Sequence, residues 1–368
     1  MYKTWIELSK KAVKSNIATF RKLVTEKVKI LAVVKSNAYG HGLLDFSRLA
    51  EQYGVEGFCV DSIIEGIKLR NAGIKKFVLV LGATMTDSFA EAAANDLTVT
   101  ISNLSALSAW QKAKVRPLIH LKIDTGMHRQ GFYVDELKKA ITIIKADKRG
   151  ARALITGVLT HFASAKDINY PTYTNKQLGI FNQALGILER SGFENLMRHA
   201  AATSGTLLGK KYHFDAVRIG IGLYGLYPSK ELEMQLPELK LEPVLSWKSV
   251  ISEIKKVAAG KFIGYDLTER LQCNSTVGIV PIGYWHGYSW RLSGIGEVLV
   301  GNKRARVLGR VSMDMIAIDL THTRGKIGTQ VVLIGRQVPV EELARKIGTS
   351  YYEVITRLNP LIKKIVVN

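Results

Sequence analysis

The chain has 368 residues, of which 47% are hydrophobic, and this length is sufficient for one large domain or two ordinary ones. Its 52 basic and 31 acidic residues give a formal net charge of +21, but the basic residues are scattered in pairs, which favours a solvated surface over a nucleic-acid footprint. The sequence has no run of about 18 uncharged apolar residues and no apolar N-terminal signal core, so we expect a cytoplasmic protein without a membrane span.

Residues 28–224 alternate short apolar runs with segments of helical periodicity. The predicted strands are 29–35, 57–61, 76–81, 97–101, 117–123, 154–160, 197–201 and 217–223. The predicted helices are 43–52, 62–71, 86–95, 103–113, 134–146 and 171–190. Repeated alternation of this kind fits a closed (β/α)₈ TIM-type barrel better than an open α/β sheet.

The alternation of strand and helix patterns ends after Pro228. Segment 230–240 is polar and predicts a linker, and only one good helical pattern, 340–347, occurs in the strand-rich remainder. The strands predicted there are 244–257, 277–282, 296–300, 305–309, 315–320 and 330–335. We therefore expect a barrel domain at 1–232 and a mostly β C-terminal domain at 237–368, with which the first few residues could pack.

The first predicted strand ends in a single amine, Lys35, followed by the turn-forming YGHG of residues 39–42. The chemistry of a barrel lies where its strands end, and an amine in a desolvated pocket becomes a competent nucleophile for a carbonyl. A lysine that merely extends its amine from the barrel rim into water is the alternative.

Seven motifs together resemble those of the alanine racemases, enzymes that use pyridoxal 5'-phosphate (PLP) and consist of a barrel and a β domain. They are AVVKSNAYGHG from Ala32, LKIDTGMHR from Leu121, THFA from Thr160, VRIGIGLYG from Val217, IGY from Ile263, PIGY from Pro281 and GRVSMD from Gly309. The resemblance implies a cytoplasmic isomerase that interconverts L-alanine and D-alanine and supplies D-alanine for peptidoglycan.

By that resemblance Lys35 binds PLP covalently, and the phosphate is held by hydroxyls and backbone N–H groups. The residues that match the family's phosphate contacts are Tyr39, Ser204, Gly220, Ile221 and Tyr352. The loop HAAATSG, residues 199–205, departs from the usual H-x-A-N-S pattern by one inserted residue and by Ala202 or Thr203 in place of the asparagine. A helix N-cap is the alternative role for Ser204.

The resemblance also places Arg218 at the pyridine nitrogen of the cofactor. Arginine keeps its proton, so it would leave that nitrogen unprotonated and favour reprotonation over transamination. A rim arginine paired with Asp215 is the alternative. His161 matches a residue that stacks on the cofactor and relays between Arg218 and the catalytic tyrosine.

Racemisation needs a second acid/base opposite the lysine, and Tyr265 matches the family's tyrosine in that role. Tyr265 lies in the predicted β domain and Lys35 in the barrel; in the family the two meet across a homodimer with shared active sites. Arg129 and the backbone N–H of Met313 match the contacts to the substrate carboxylate.

Lys122 matches a lysine that is carbamylated in many members, with a plain amine bonded to Asp124 or Asp314 as the alternative. The residues that match the family's entrance corridor are Tyr284, Arg291, Arg310 and Tyr352. Trp285 and His286 replace a small residue and an aspartate there, which changes the charge and size of the entrance.

Several alternatives remain open at this point. A serine or broad-specificity racemase would keep the fold, and the altered entrance puts strict alanine preference in doubt. A decarboxylase of similar architecture is less expected, because Cys273 lies in LQCNS and not in a C-E-S-G-D-like stretch. A single-barrel PLP-binding protein would lack Tyr265 and Met313, and a polyanion binder would fit the charge alone.

Cys273 and Cys59, the only cysteines, fit a reducing compartment and indicate neither disulfides nor a zinc site. No metal is expected.

Overall fold

The computed structural model describes residues 2–368, which divide into two compact units. The unit that we call the barrel unit contains Ala12–Ala38 and Phe46–Glu242. The β unit contains the N-terminal segment as far as Lys11, Tyr39–Asp45 and Pro243–Asn368. The predicted domain limits, 1–232 and 237–368, stay predictions, because compactness alone does not test independent folding. Within the described residues, no helix has the length and apolar character needed to cross a bilayer.

The strands are numbered in chain order. They are β1 Thr4–Ser9, β2 Lys29–Val33, β3 Gly57–Val60, β4 Phe77–Val80, β5 Thr98–Ile101, β6 Ile119–Lys122, β7 Ile155–Leu159, β8 Met197–His199, β9 Ala216–Ile219, β10 Leu245–Val250, β11 Glu253–Val257, β12 Phe262–Ile263, β13 Glu269–Arg270, β14 Ser275–Val280, β15 Glu297–Val300, β16 Lys303–Leu308, β17 Ile316–Asp319, β18 Gln330–Ile334 and β19 Lys363–Val367. The α-helices are Lys10–Leu23, Leu43–Gln52, Ile63–Asn71, Phe89–Ala94, Leu104–Lys112, Val134–Lys145, Thr172–Arg190, Thr203–Leu208, Lys230–Gln235, Val340–Lys346 and Tyr351–Thr356.

The barrel unit contains a sheet of eight strands in the order β8-β7-β6-β5-β4-β3-β2-β9, and all of its ladders are parallel. Its two edges meet at a parallel bridge between Ala202 and Arg218, where the Arg218 N–H donates to the Ala201 carbonyl at 2.9 Å. The sheet is therefore a nearly closed barrel, and the fold class predicted from the sequence, with all eight strands, is confirmed.

Burial explains why the barrel strands are continuous apolar runs. Every residue of β3, β5, β6 and β9 is buried, because one face points into the barrel and helices cover the other. In contrast, β1 and β10 alternate buried and partly exposed residues, as expected of a sheet with one wetter face.

Four helices within residues 2–368 lie outside the predicted segments: Lys10–Leu23, Thr203–Leu208, Lys230–Gln235 and Tyr351–Thr356. Segment 230–240, predicted as a linker, contains the helix Lys230–Gln235, which begins where the Ser229 hydroxyl accepts from the Leu232 N–H at 3.3 Å. Leu232 is fully buried, so one apolar contact and one cap suffice for this short helix. A second helix, Tyr351–Thr356, accompanies the predicted one near the C-terminus.

The β unit contains a nine-stranded sheet in the order β11-β14-β17-β16-β15-β18-β10-β1-β19, beside the two-stranded β12-β13. The mostly β character of the C-terminal region is confirmed. The predicted strand 244–257 is two strands, because the Ile251 and Ser252 N–H groups donate to Thr329 and Ile279 instead of continuing one ladder. The strands nearest the two chain ends, β1 and β19, were not predicted.

Candidate active site

The segment Lys35–Tyr39, directly after β2, forms a left-handed turn. Its four residues after Lys35 all have φ between 52° and 55°. Left-handed backbone costs L-residues about 1–2 kcal/mol each, so the surrounding structure must hold this turn. The Ala38 N–H closes the turn by donating to the Val34 carbonyl at 2.8 Å. Strain of this kind is typical of a functional site.

The Lys35 amine lies 3.7 Å from Asp61 Oδ1. The two residues are neighbours because β2 and β3 pair in parallel and end at the same edge of the sheet. The Lys35 side chain is 39% exposed in the single chain, and the desolvated amine expected from the sequence stays a prediction. Asp61 was not predicted as a site residue, although its position after a strand was a usable signal.

Arg218 lies inside the barrel and is 2% exposed. One terminal nitrogen, Nη1, donates to His199 Nδ1 at 2.7 Å and to the His199 carbonyl at 3.0 Å. The other, Nη2, donates to the carbonyls of Thr160 at 2.7 Å and Ala200 at 3.0 Å, and lies 3.4 Å from His161 Nδ1. All five acceptors are neutral, so the charge of this guanidinium is not balanced by a hydrogen-bonded carboxylate.

The alternative role for Arg218, an ion pair with Asp215, is wrong. Asp215 instead pairs with Arg198, with 2.8 Å between Arg198 Nε and Asp215 Oδ2. Burial lowers the pKa of Arg218 to about 10, which still leaves it protonated near neutrality. A buried cation without an anionic partner is suited to an incoming electron-rich group.

His161 is the predicted cofactor-stacking residue. Burial, with Arg218 and three further cations nearby, lowers its pKa to about 3. The imidazole is therefore neutral at biological pH and its Nδ1 lies 3.4 Å from Arg218 Nη2, while the relay to the catalytic tyrosine stays a prediction.

His199 and His120 are two further histidines behind Arg218 that sequence reasoning did not select as site residues. Both are fully buried, and His199 Nε2 lies 2.9 Å from His120 Nδ1. Their strand positions, at the end of β8 and inside β6, were a signal, because a polar residue in a buried barrel strand calls for a partner.

Lys122 is 7% exposed and lines a small cleft with Arg129 and His161. Its amine donates to Gln130 Oε1 at 3.0 Å, whereas Asp124, one of the two acceptors expected in the alternative, accepts from backbone groups. Burial, together with the charges of Arg218, Arg129 and Lys35, lowers the pKa of Lys122 to about 8.

Asp124 organises the loop that carries Arg129. Its Oδ1 accepts the N–H groups of Gly126, Met127 and His128 at 2.9–3.0 Å, and its Oδ2 accepts that of Arg129 at 3.1 Å. Burial opposes ionisation of this carboxyl, but these four donors hold its pKa below the ordinary value. The Arg129 side chain itself is exposed.

Thr203 occupies the place where the sequence departs from the family pattern. Its hydroxyl accepts the N–H groups of Gly220 at 3.1 Å and Gly222 at 3.4 Å, so the Gly220 N–H expected to bind phosphate already has a partner. Ser204 lies in the first turn of Thr203–Leu208; the N-cap is Ala202, and the capping alternative for Ser204 is wrong.

Tyr39 and Tyr352, both in the β unit, have ring centroids 6.1 Å apart. Two of the predicted phosphate contacts thus lie together. Gly40 makes this approach possible: it has φ +82°, and a Cβ there would lie 1.9 Å from the Ile355 carbonyl oxygen. Burial, then the neighbouring Tyr351 and Tyr39, raises the pKa of Tyr352.

Tyr265 is 69% exposed in the β unit, at the start of a short turn in which Asp266 and Leu267 have positive φ. Asp266 Oδ2 lies 3.5 Å from Arg310 Nε, and the Arg310 guanidinium lies 4.7 Å from the centre of the Trp290 ring. The predicted entrance residue Arg310 is therefore part of the same surface as the turn of Tyr265.

Within the β unit, backbone hydrogen bonds join the predicted entrance segment at Tyr284 to the segment of Met313, the predicted contact to the substrate carboxylate. The Tyr284 N–H donates to the Ser312 carbonyl and the Trp285 N–H to that of Met313, each at 3.0 Å. Arg291 is exposed, and its Nη1 donates to the Ile347 carbonyl at 3.4 Å.

The barrel unit therefore concentrates four cations near one histidine. Arg218, Arg129, Lys122 and Lys35 all lower the pKa of His161, which shows that they act on one region. With Asp124 held by backbone donors, this region favours an anionic ligand with a group that accepts from arginine. The donor set fits a phosphorylated, carbonyl-bearing pyridine.

Comparison with known proteins matches the whole chain to one family. Residues 8–228 match the model described as alanine racemase, N-terminal domain, and residues 244–366 match alanine racemase, C-terminal domain. An alanine racemase of Leptospira interrogans serovar copenhageni is 35% identical over 379 residues, covering 100% of this chain and 96% of the relative.

Two solved structures are similar over the full length. Alanine racemase from Bacillus anthracis with bound L-Ala-P has a TM-score of 0.93 at 34% identity, covering 100% of this chain and 96% of that one. Alanine racemase from Bartonella henselae with covalently bound pyridoxal phosphate has a TM-score of 0.87 at 26% identity, covering 100% of both chains.

Proposed function

The chain belongs to the alanine racemase family, and we propose that it interconverts L-alanine and D-alanine with PLP bound covalently to Lys35. The observation that carries the proposal is the cationic pocket of the barrel unit, in which Arg218 is buried among neutral acceptors. Such a pocket would bind both an anionic cofactor and the carboxylate of an amino acid.

The residues present fit PLP. When bound, PLP supplies an electron-withdrawing ring that makes the α-proton of an attached amino acid removable. Arg218 would donate to the ring nitrogen and, because it has no acceptor, leave that nitrogen without a proton. Tyr39, Ser204, the Ile221 backbone and Tyr352 match the family's phosphate contacts and would bind the phosphate. Gly220 would share the N–H that Thr203 now accepts.

Proton transfer would use two groups on opposite faces of the α-carbon. Lys35 Nζ would take or return the proton on one face, and Tyr265 Oη would do so on the other. His161, neutral and in contact with Arg218, would position the phenol and would not compete with it as a base. The exposure of both Lys35 and Tyr265 supports their access to substrate.

Arg129 and the Met313 N–H would bind the substrate carboxylate. Lys122 supports a further proposal, carbamylation, because carbon dioxide reacts with neutral amines and a pKa of about 8 leaves part of this amine neutral near pH 7. A carbamate would add a negative charge beside Arg129. Electron density beyond Lys122 Nζ would establish it, and density ending at that atom would refute it.

We include a homodimer with shared active sites in the proposal. The surface around Tyr265 exposes large apolar side chains that a partner subunit would cover. They are Leu267, Tyr284, Trp285, Trp290, Met313 and Met315. The partner would supply Tyr265 to the Lys35 of the first subunit.

The test is a circular-dichroism assay with each alanine enantiomer as substrate and PLP present. We expect both to decay to the same near-racemic mixture, with alanine faster than serine, lysine or arginine. An enzyme that binds PLP but leaves the sign and size of the alanine signal unchanged would contradict the proposal.

A racemase with a broader substrate range is the second candidate. The observation that favours it is Trp285, which is 57% exposed beside buried His286, where the family has a small residue and an aspartate. If serine or a basic amino acid is racemised at least as fast as alanine in the same assay, this second candidate replaces the first.

A further inference from the structure

A buried row of three side chains runs from Arg218 through His199 to His120. Arg218 Nη1 lies 2.7 Å from His199 Nδ1, and His199 Nε2 lies 2.9 Å from His120 Nδ1. Both imidazoles are fully buried, and His120 Nε2 has no hydrogen-bond partner in the part of the chain that the structure describes.

The first member fixes the direction of every hydrogen bond in the row. A guanidinium can only donate, so His199 Nδ1 must be the acceptor and must carry no proton. His199 then keeps its proton on Nε2 and donates it to His120 Nδ1. The same step repeats at His120, whose Nδ1 accepts and whose proton lies on Nε2.

Two observations agree with neutral imidazoles. Burial, and secondarily Arg218, lowers the pKa of His120 to about 3 and holds that of His199 well below the ordinary value. The second observation is that the His120 ring packs against the backbone of Gly157, where a Cβ would lie 2.5–2.7 Å from Cε1, Nε2 and Cδ2 of the ring, while Nε2 has no hydrogen-bond partner among the described residues.

An imidazole with an unpaired N–H is a poor choice for a barrel core selected for stability alone. The other ring nitrogen of His120, Nδ1, accepts the hydrogen bond of His199, and His199 in turn accepts one from Arg218 Nη1. Each bond in such a row polarises the next, so an acceptor at the far end strengthens the contact at Arg218.

We propose that His120 and His199 are positioning residues that hold Arg218 through a one-way hydrogen-bond chain of neutral imidazoles, each protonated on Nε2. Its catalytic consequence rests on the proposed function, in which Arg218 meets the pyridine nitrogen of the cofactor. The tautomers themselves do not depend on that function.

The test is nitrogen NMR of the ligand-free protein labelled with ¹⁵N-histidine at about pH 7. We expect His199 and His120 each to show a bare Nδ1 and a protonated Nε2, with a through-hydrogen-bond coupling between His199 Nε2 and His120 Nδ1. His213 is the internal reference, because its Nε2 lies 3.0 Å from the Thr206 carbonyl and must donate. A protonated Nδ1 or an imidazolium at either residue would overturn the proposal.

Two variants of His120 test whether the hydrogen-bond chain affects Arg218. His120→Asn keeps an acceptor oxygen near the place of Nδ1, whereas His120→Leu removes it at similar volume. In the PLP-loaded protein, we expect His120→Leu to shift the absorbance of the cofactor and to lower kcat on the order of tenfold with KM little changed, and His120→Asn to restore both. Equal behaviour of the two variants would mean that His120 only fills space. If the chain did not racemise alanine at all, the NMR result would still decide the tautomers.

Discussion

Lys35 Nζ and Asp61 Oδ1 lie 3.7 Å apart at the carboxyl ends of neighbouring parallel strands. Both side chains are more than a third exposed, so water screens their attraction and the pair adds little to stability. The ion pair instead restricts the position of the Lys35 amine before this amine reacts with the carbonyl of the proposed cofactor.

Borohydride reduction should attach PLP irreversibly to Lys35. We expect the wild-type protein to retain the cofactor mass on the peptide that contains Lys35, because reduction makes the carbon–nitrogen bond permanent. Lys35→Ala should lose this mass, and Lys29→Ala, an exposed lysine at the start of the same strand, should keep it. Peptide mass spectrometry decides the matter, and cofactor found on another lysine would exclude the assignment.

The barrel could be predicted because its strands are buried on both faces and therefore form continuous apolar runs between helical patterns. Strands β1 and β19 could not be predicted, because they join the sheet through partners far apart in sequence: Ile6 pairs with Trp247 and with Lys364. Local patterns do not contain that information.

The residues of the candidate site also differ in how far the sequence could predict them. Motifs predicted Lys35, Arg218 and Tyr265 as site residues, since each is embedded in a distinctive run of residues, and these assignments stay predictions. Asp61 and His120 were missed, because their roles arise from spatial neighbours on adjacent strands.

Lys122 should make stability depend on alkaline pH. Its pKa falls from 10.5 to about 8 on folding, so between these values the unfolded chain binds more protons and stability rises with pH. Relative to Lys122→Met, the wild type should gain about 3 kcal/mol in free energy of unfolding across that window. Urea titrations of both ligand-free proteins in buffer without carbon dioxide measure the difference, and a constant difference from pH 8 to 10.5 would refute the shift.

Asp124→Asn should destabilise the barrel unit by about 1–3 kcal/mol, because the charge that accepts four backbone N–H groups is lost. The pKa of Asp124 is lowered on folding, so the loss should be full above pH 3.8 and shrink as the solution becomes more acidic. Asp61→Asn is the matched control and should change the free energy of unfolding by less than about 1 kcal/mol. Equal effects of the two substitutions would show that the backbone donors do not matter.

Gly40→Ala should be far more harmful than the same change at Gly54. Both glycines have positive φ, of +82° and +89°, but only at Gly40 would the new Cβ meet a backbone oxygen. Gly54→Ala should cost about 1 kcal/mol from backbone strain, and Gly40→Ala about 1–3 kcal/mol more from the clash with Ile355. Thermal unfolding of both variants provides the comparison, with similar melting temperatures as the contrary result.

Mixing two inactive variants tests the central claim most directly. Lys35→Ala and Tyr265→Phe homodimers should each racemise alanine poorly, while unfolding and refolding them together should produce heterodimers with one intact site. Because one site in each heterodimer joins a wild-type Lys35 to a partner's wild-type Tyr265, activity should recover to about a quarter of the wild-type rate. No recovery from a mixture shown to contain heterodimers would contradict a site shared between subunits.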